Sequence, residues 1–235
     1  MPKIKTCTIP KPLKGRRFAI SDVHGCIKTF QSLLKQISLK KADHLHLIGD
    51  VVNRGESTKE VLDFILQLKA EGYQIFFIRG NHEQILINAS KKSEAQRKRT
   101  LNACKAIGLL DGEQIAEPYL RLLKDSYHYV DLEDFYLVHA GFDFSSASPF
   151  ENKQQMLNIR KFNAKKKHLN GRKIVVGHTP KKLSKIITRI QKGKRKIYID
   201  NGCVNHHLLE QGNLLCLNLD TMAMSIQKNL DAVVI

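Results

Sequence analysis

Residues 45–55, Leu45-His46-Leu47-Ile48-Gly49-Asp50-Val51-Val52-Asn53-Arg54-Gly55, decide the fold class. A short apolar run stops abruptly at Gly49-Asp50, which reads as a buried strand that delivers a carboxylate at its C-terminal end. The same plan stands on either side. Upstream, residues 17–21 (RFAIS) form another such strand, ending at Asp22, and residues 26–37 carry Ile27, Phe30, Leu33, Leu34 and Ile37 at helical spacing. Downstream, residues 58–71 place Val61, Leu62, Ile65, Leu66 and Leu68 inward on a helix that stops at Gly72. Residues 74–78 are a third strand, running into Arg79-Gly80-Asn81-His82. Strand, helix, strand, helix, strand in this order implies a parallel sheet and an α/β fold.

Beyond residue 82 the pattern changes. Residues 83–124 read as mostly helical, with a charged, solvent-facing stretch at 91–99. Residues 127–130 and 135–138 read as a hairpin around Glu133-Asp134, and residues 174–176 as a strand ending in Gly177-His178. Residues 186–190 and 196–199 flank Gly193 and are expected to form a second hairpin, and residues 214–219 a late strand. Two packed sheets with helices outside accommodate all of this.

The polar residues of interest share one position, the C-terminal end of an expected strand. Asp22 and His24 follow the first, Asp50 the second, Asn81 and His82 the third, His139 the hairpin strand and His178 the next. Ligand sites of open α/β sheets lie outside those ends. Two Asp, three His and an Asn suit a pair of divalent transition ions, with no thiolate to demand a soft metal. Two such ions about 3.5–4 Å apart can activate water and clamp the oxygens of an in-line displacement at phosphorus. Any one of these residues alone is weak evidence, because a single His at a strand end is usually structural. Several Asp and His, each beside a glycine after an apolar strand, are hard to explain that way. Arg54 and Arg160 add guanidinium groups, which grip phosphate oxygens bidentately.

At 235 residues and 42% hydrophobic content, the whole chain 1–235 is expected to be one domain, with 1–15 as a basic N-terminal extension. No run approaches the roughly 20 apolar residues of a membrane helix, and no apolar run follows the basic N-terminus, so the expectation is a cytoplasmic protein with no membrane partner. Five scattered cysteines without a C-x-x-C pair argue against a disulfide framework and a zinc ribbon. The net charge of +17 is uneven: residues 152–199 hold sixteen Lys or Arg and no Asp or Glu, whereas the rest is nearly neutral. Such a field attracts polyanions, although a merely solvated lysine face fits equally well.

The blocks Ser21-Asp22-Val23-His24-Gly25, Gly49-Asp50-Val51-Val52-Asn53-Arg54-Gly55 and Gly80-Asn81-His82-Glu83 resemble the signature blocks of calcineurin-like metallophosphoesterases. More specifically, they resemble the bacterial and phage serine/threonine protein phosphatase branch. His139-Ala140-Gly141 and Gly177-His178-Thr179-Pro180 resemble its later histidine blocks, and residues 198–204 its closing segment. The resemblance implies a four-layer αββα sandwich. It also implies that Asp22 and His24 hold one metal, that Asp50 bridges, and that Asn81, His139 and His178 hold the other. Arg54 and Arg160 would grip the phosphate and His82 would protonate the leaving oxygen. The expected ions are two divalent cations, manganese first, with Fe, Zn or Ni also compatible.

Asn53 departs from the pattern, because the family usually has Asp there, paired with the acid histidine. A neutral amide orients the ring but supplies no charge, so His82 is expected to protonate less readily and to give a slower enzyme with an acid-shifted optimum for poor leaving groups. Asn158 stands where relatives often have Trp, and His206 and His207 where small residues are usual. The first functional reading is a phosphoserine/phosphothreonine protein phosphatase acting on a phosphoprotein or small phosphoester. The second is a symmetrical dinucleoside tetraphosphate hydrolase, whose extra phosphates the basic region 152–199 would hold. Two further readings are a metal-binding homologue with weak turnover because of Asn53, and nucleic-acid binding by the basic stretch, which has few aromatics for stacking.

Overall fold

The computed structural model describes residues 4–164 and 166–231. β1 (Thr6–Thr8) leads into the alternation read from the sequence: β2 (Arg17–Ile20), α1 (Ile27–Gln36), β3 (His44–Ile48), α2 (Thr58–Ala70) and β4 (Gln74–Ile78). Then come α3 (Asn81–Ala89), α4 (Glu94–Ala103), a small hairpin β5 (Leu110–Asp111) and β6 (Gln114–Ile115), and α5 (Glu117–Asp125). The second half runs β7 (Tyr129–Asp131), β8 (Phe135–Val138), α6 (Lys153–Asn158), α7 (Lys166–Leu169), β9 (Lys173–Val176), α8 (Leu183–Gln191), β10 (Lys196–Tyr198), β11 (Asn213–Asn218) and β12 (Met224–Lys228).

β2, β3 and β4 pair in parallel, and antiparallel β11 and β12 extend that sheet to the order β12-β11-β2-β3-β4. The other sheet has the order β1-β7-β8-β9-β10. Every residue of β2 is buried because each face of its sheet is covered. Phe18 and Ile20 pack with Phe30, Leu33, Val61 and Ile65 of α1 and α2, while Ala19, Ile48 and Ile78 meet Val130, Leu137, Val175 and Ile197 of the opposite sheet. On the far side, Tyr136, Val138, Ile174 and Val176 pack with Met156 of α6 and Leu169 of α7. This is the four-layer αββα sandwich, and each fully buried aliphatic side chain contributes about 1.5–3 kcal/mol to it.

The expected hairpin at 186–199 is a βαβ unit instead. Residues 183–191 are helical, and β10 pairs in parallel with β9. Three isoleucines beside Gly193 favour a strand locally, but Leu183, Ile186 and Ile190 share a helical face, and Ile186 is fully buried. Thr6–Thr8, within the stretch read as an N-terminal extension, pairs with Tyr129–Asp131 as an edge strand. In the stretch read as solvent-facing, Arg97 is buried and donates to the carbonyls of Lys92 and Glu113. Lys165 of the basic region and residues 1–3 lie outside the described residues. No helix among the described residues is long and apolar enough to cross a membrane.

Candidate active site

Both sheets present the C-terminal ends of their parallel strands to one place. Asp22, Asp50, His178 and Asp200 each lie two residues past the end of β2, β3, β9 and β10; His139 directly follows β8, and Asn81 and His82 open α3 just after β4. The turns that aim these side chains are strained. Asp22 (φ 55), His24 (φ 48), Asp50 (φ 52), Asn53 (φ 69), Arg54 (φ 70) and His178 (φ 68) are all left-handed, at a cost of about 1–3 kcal/mol each. Interlocking main-chain bonds hold them: Asp22 N–H donates to Gly49 O (3.1 Å), His24 N–H to Asp50 O (2.9 Å) and Gly177 N–H to His139 O (2.8 Å). Close approach explains two glycines, since a Cβ on Gly80 would strike the Asp50 carboxylate and one on Gly177 would strike Ser21 and Asp22.

The side chains converge on Asp50. Around His139 Nε2 stand Asp50 Oδ2 (3.3 Å), Asn81 Oδ1 (3.1 Å) and His178 Nδ1 (3.2 Å). On the other side, His24 Nε2 lies 3.8 Å from Asp50 Oδ2 and 3.9 Å from Asp22 Oδ1, and His82 Nε2 lies 3.8 Å from Asp50 Oδ2. Asp22 in turn accepts from Ser21 Oγ and from the His178 N–H (3.1 Å). His24 and His139 each turn Nδ1 to a main-chain carbonyl, of Val52 and Ile48, both at 3.0 Å. That turns each Nε2 inward, the arrangement that orients imidazole for a metal. His24, Asp50 and His82 could hold one ion, and Asp50, His139 and His178 another.

Two residues that the sequence reading gave no role complete this shell. Glu83 is fully buried; its Oε2 accepts from Asp50 N–H (2.8 Å) and Gly80 N–H (2.7 Å), and its Oε1 from Val51 N–H (2.9 Å). Asp200, buried at the end of β10, accepts from Gly202 N–H (2.7 Å). Burial first, then Asp50, pushes Glu83 up to about 7. Burial raises Asp200 to about 6, with Asp50 adding to it, and burial and Asp200 raise Asp22. Burial opposes ionisation of Asp50 as well, yet the charge of His139 and its hydrogen bond hold that carboxylate below its usual range. Burial disfavours the His139 cation, but Asp50 raises it to about 10, whereas burial drives His24 and His178 down to about 4. Four buried carboxylates share one imidazolium, a deficit of positive charge that divalent cations relieve. The donor set therefore fits the pair of ions that the sequence implies.

Of the remaining expected residues, Arg54 and Arg160 are exposed at the rim. The charge of Arg54 reaches His24, His82 and Asp200, and that of Arg160 reaches His178. Asn53 Oδ1 accepts from Arg54 N–H (2.6 Å), which turns Nδ2 to donate to His82 Nδ1 (2.6 Å). His82 is thus held as the tautomer with its proton on Nε2, and burial lowers its pKa against the pull of Asp50. His206 and His207 pair with each other at the exposed surface. A cavity of about 800 Å³ beside β4 and α5 is lined by none of these residues.

An αββα sandwich whose strand ends gather carboxylate, imidazole and amide donors, with guanidinium groups at the rim, defines a metal-dependent phosphoesterase. The pattern of the calcineurin-like phosphoesterases matches residues 16–213, and the chain belongs to that family. It is 33% identical over 128 residues to a symmetrical bis(5'-nucleosyl)-tetraphosphatase of Pseudomonas fluorescens, covering 53% of this chain and 41% of the relative. It is 36% identical over 126 residues to one of Nitrosococcus oceani, covering 53% and 43%. The match thus spans less than half of the length of these relatives. Among solved structures, one provisionally assigned as a diadenosine tetraphosphatase superposes with a TM-score of 0.71 at 17% identity, over 98% of this chain and 100% of that one. A serine/threonine phosphatase of Saccharomyces cerevisiae superposes at 0.60 and 15% identity, over 99% and 85%.

Proposed function

We propose that the chain hydrolyses symmetrical dinucleoside tetraphosphates, cleaving the central anhydride to release two nucleoside diphosphates. The observation that carries this reading is sequence identity of 33–36% to relatives bearing that activity in their names, over more than half of this chain. The protein phosphatase reading, ranked first from sequence, gives way to it, because likeness to the yeast serine/threonine phosphatase is one of fold at 15% identity. Charge points the same way. A tetraphosphate bridge carries more negative charge than a phosphothreonine, and the exposed Lys161, Lys182 and Lys185 follow Arg160 and His178 in the chain.

In this reading Asp22, His24 and Asp50 would hold one divalent ion, and Asp50, Asn81, His139 and His178 would hold the other; manganese is the first candidate. Bound there, the pair would activate water and neutralise charge on the phosphate. Arg54 and Arg160 grip the outer phosphate oxygens. His82, once protonated to the imidazolium, which needs the Asn53 amide turned to accept from Nδ1–H, would give its Nε2 proton to the departing diphosphate oxygen and return to the neutral ring, as the P–O bond breaks and the water oxygen bonds to phosphorus.

The test is product release by the manganese-loaded protein from diadenosine tetraphosphate and from a phosphothreonine peptide, in parallel with a chelator control. ADP as the sole nucleotide product, released faster than phosphate from the peptide, is expected. Faster release from the peptide would restore the protein phosphatase, and no metal-dependent release from either would favour the homologue without turnover.

A further inference from the structure

Beside the active site, a loop that leaves the metal-ligand shell meets one that leaves the rim. One continues from His139 through Gly141 to Phe144; the other continues from Arg160 to Phe162 and on to α7. They meet where Phe162 lies against Gly141, so closely that any side chain at Gly141 would collide with its ring. Beside this contact is a cavity of about 420 Å³, lined by Asp143, Phe144, Lys161, Phe162, Lys167 and His168 among others. That volume falls in the range of small-molecule sites. Phe162 is two residues from Arg160 and packs two residues from His139, so the cavity adjoins the metal-ligand shell.

The walls have a particular chemistry. The rings of Phe144 and His168 stack at 4.9 Å with only 15° between their planes, and Phe162 stands 6.2 Å from Phe144. His168 Nδ1 is shut off from solvent without a hydrogen-bond partner among the described residues. The lysines at the mouth, Lys161 and Lys167, are exposed and in no ion pair among the described residues, whereas the Asp143 carboxylate is occupied by Ser145 N–H (3.0 Å) and Ser145 Oγ (2.5 Å). On its other face Phe162 carries the Lys196 ammonium, 4.0 Å from the ring centroid, and its carbonyl accepts from Lys196 Nζ (2.6 Å). Flat aromatic walls and free cations at the entrance suit a planar heterocycle attached to a phosphate chain. A phosphopeptide would use the cations and leave the aromatic slot unfilled.

We infer that this cavity is a nucleobase subsite: it stacks the base of one half of the substrate against the Phe144–His168 pair, while Lys161 and Lys167 hold the adjoining phosphates. This rests on the dinucleotide reading of the same active site and assigns to it the residues that select a nucleotide over a bare phosphate chain.

The experiment measures binding, so that it does not depend on turnover. Calorimetric titration of the manganese-loaded protein with ADP and with inorganic pyrophosphate separates the base from the phosphates. ADP is expected to bind at least about fivefold more tightly, in line with stacking of one base. In His168→Leu, which keeps an apolar wall but loses the flat ring, that preference should disappear while pyrophosphate affinity stays within about twofold. Equal affinities in the unaltered protein, or a preference for ADP that survives in His168→Leu, would overturn the subsite. If ADP binds as expected but diadenosine tetraphosphate is not cleaved, the hydrolase reading fails and the subsite stands.

Discussion

The ligand cluster and the basic face beside it are built on opposite principles. Asp22, His24, Asp50 and His139 are buried on short turns, each with its main chain or ring tied to another strand end. Lys161, Lys167, Lys182, Lys185, Lys192 and Lys194 are exposed, on helices and loops. Geometry matters where a donor must meet an ion within a few tenths of an ångström. Only local concentration matters where cations attract a phosphate chain through water. Substitutions in the first region should therefore break the enzyme, and those in the second should retune it.

The largest effect belongs to Asp50, the one carboxylate among the described residues that stands in both candidate ion groups. Asp50→Asn should abolish turnover and reduce bound manganese from two ions to one or none, as read by elemental analysis of dialysed protein. Two ions retained at normal affinity would remove Asp50 from the bridging position. Next is Glu83→Gln. A glutamine amide group would oppose an N–H where Glu83 now accepts from Asp50, Val51 and Gly80, so the Asp50 turn should loosen and manganese affinity should fall about 10–100-fold. An unchanged metal titration would make Glu83 a bystander of the ligand cluster. Asn53→Asp should act in the other direction. A carboxylate can accept from His82 Nδ1–H and stabilise its cation, so hydrolysis of alkyl phosphates should rise, by up to about tenfold. Unchanged or slower hydrolysis would mean that leaving-group protonation does not limit the rate. On the basic face, replacing Lys182 and Lys185 together with Gln should change KM only a few-fold and reduce its dependence on salt, with kcat unaltered. A kcat effect would place those lysines inside the site.

The contrast between the two regions also explains what the sequence disclosed. Residues 17–82 were legible because strict apolar runs alternate with helical spacing, and each strand ends in a ligand beside a glycine. The helix at 183–191 was not, since three isoleucines near Gly193 look like a strand until its neighbours β9 and β10 are seen to need a crossover. β1 and β12 are partly exposed edge strands with little apolar signal. Glu83 was hidden because an acid in the first turn of a helix is ordinary; its capping position, three residues after Gly80, was the available clue. Asp200 could have been found by the spacing it shares with Asp22, Asp50 and His178. The cavity between residues 143 and 168 had no such signal, because it arises only when two distant loops meet at Gly141.

Away from both regions, His46 offers the smallest expected effect and one confined to stability. It is fully buried on β3, stacked on Phe76 at 5.1 Å, with both ring nitrogens unpartnered among the described residues. Burial, with His44 and Arg17 adding to it, drives its pKa down to about 3, against about 6.5 in the unfolded chain. Between those values the unfolded chain binds the extra proton, so stability rises with pH through this window. The contribution is fully present above about pH 6.5 and is lost as pH falls toward 3, amounting to about 2 kcal/mol at pH 5. Other depressed histidines add to the same slope, so only a difference isolates this one. His46→Leu fills the space without a titrating group and leaves no buried nitrogen unsatisfied, so at pH 7.5 it should match or exceed the unaltered protein in stability. From pH 7.5 to pH 5 its loss of unfolding free energy, from urea melts, should be smaller by roughly that 2 kcal/mol. Parallel curves for the two proteins would mean that His46 is protonated in the fold at much the same pH as in the open chain, and that water or a shift of β3 reaches it.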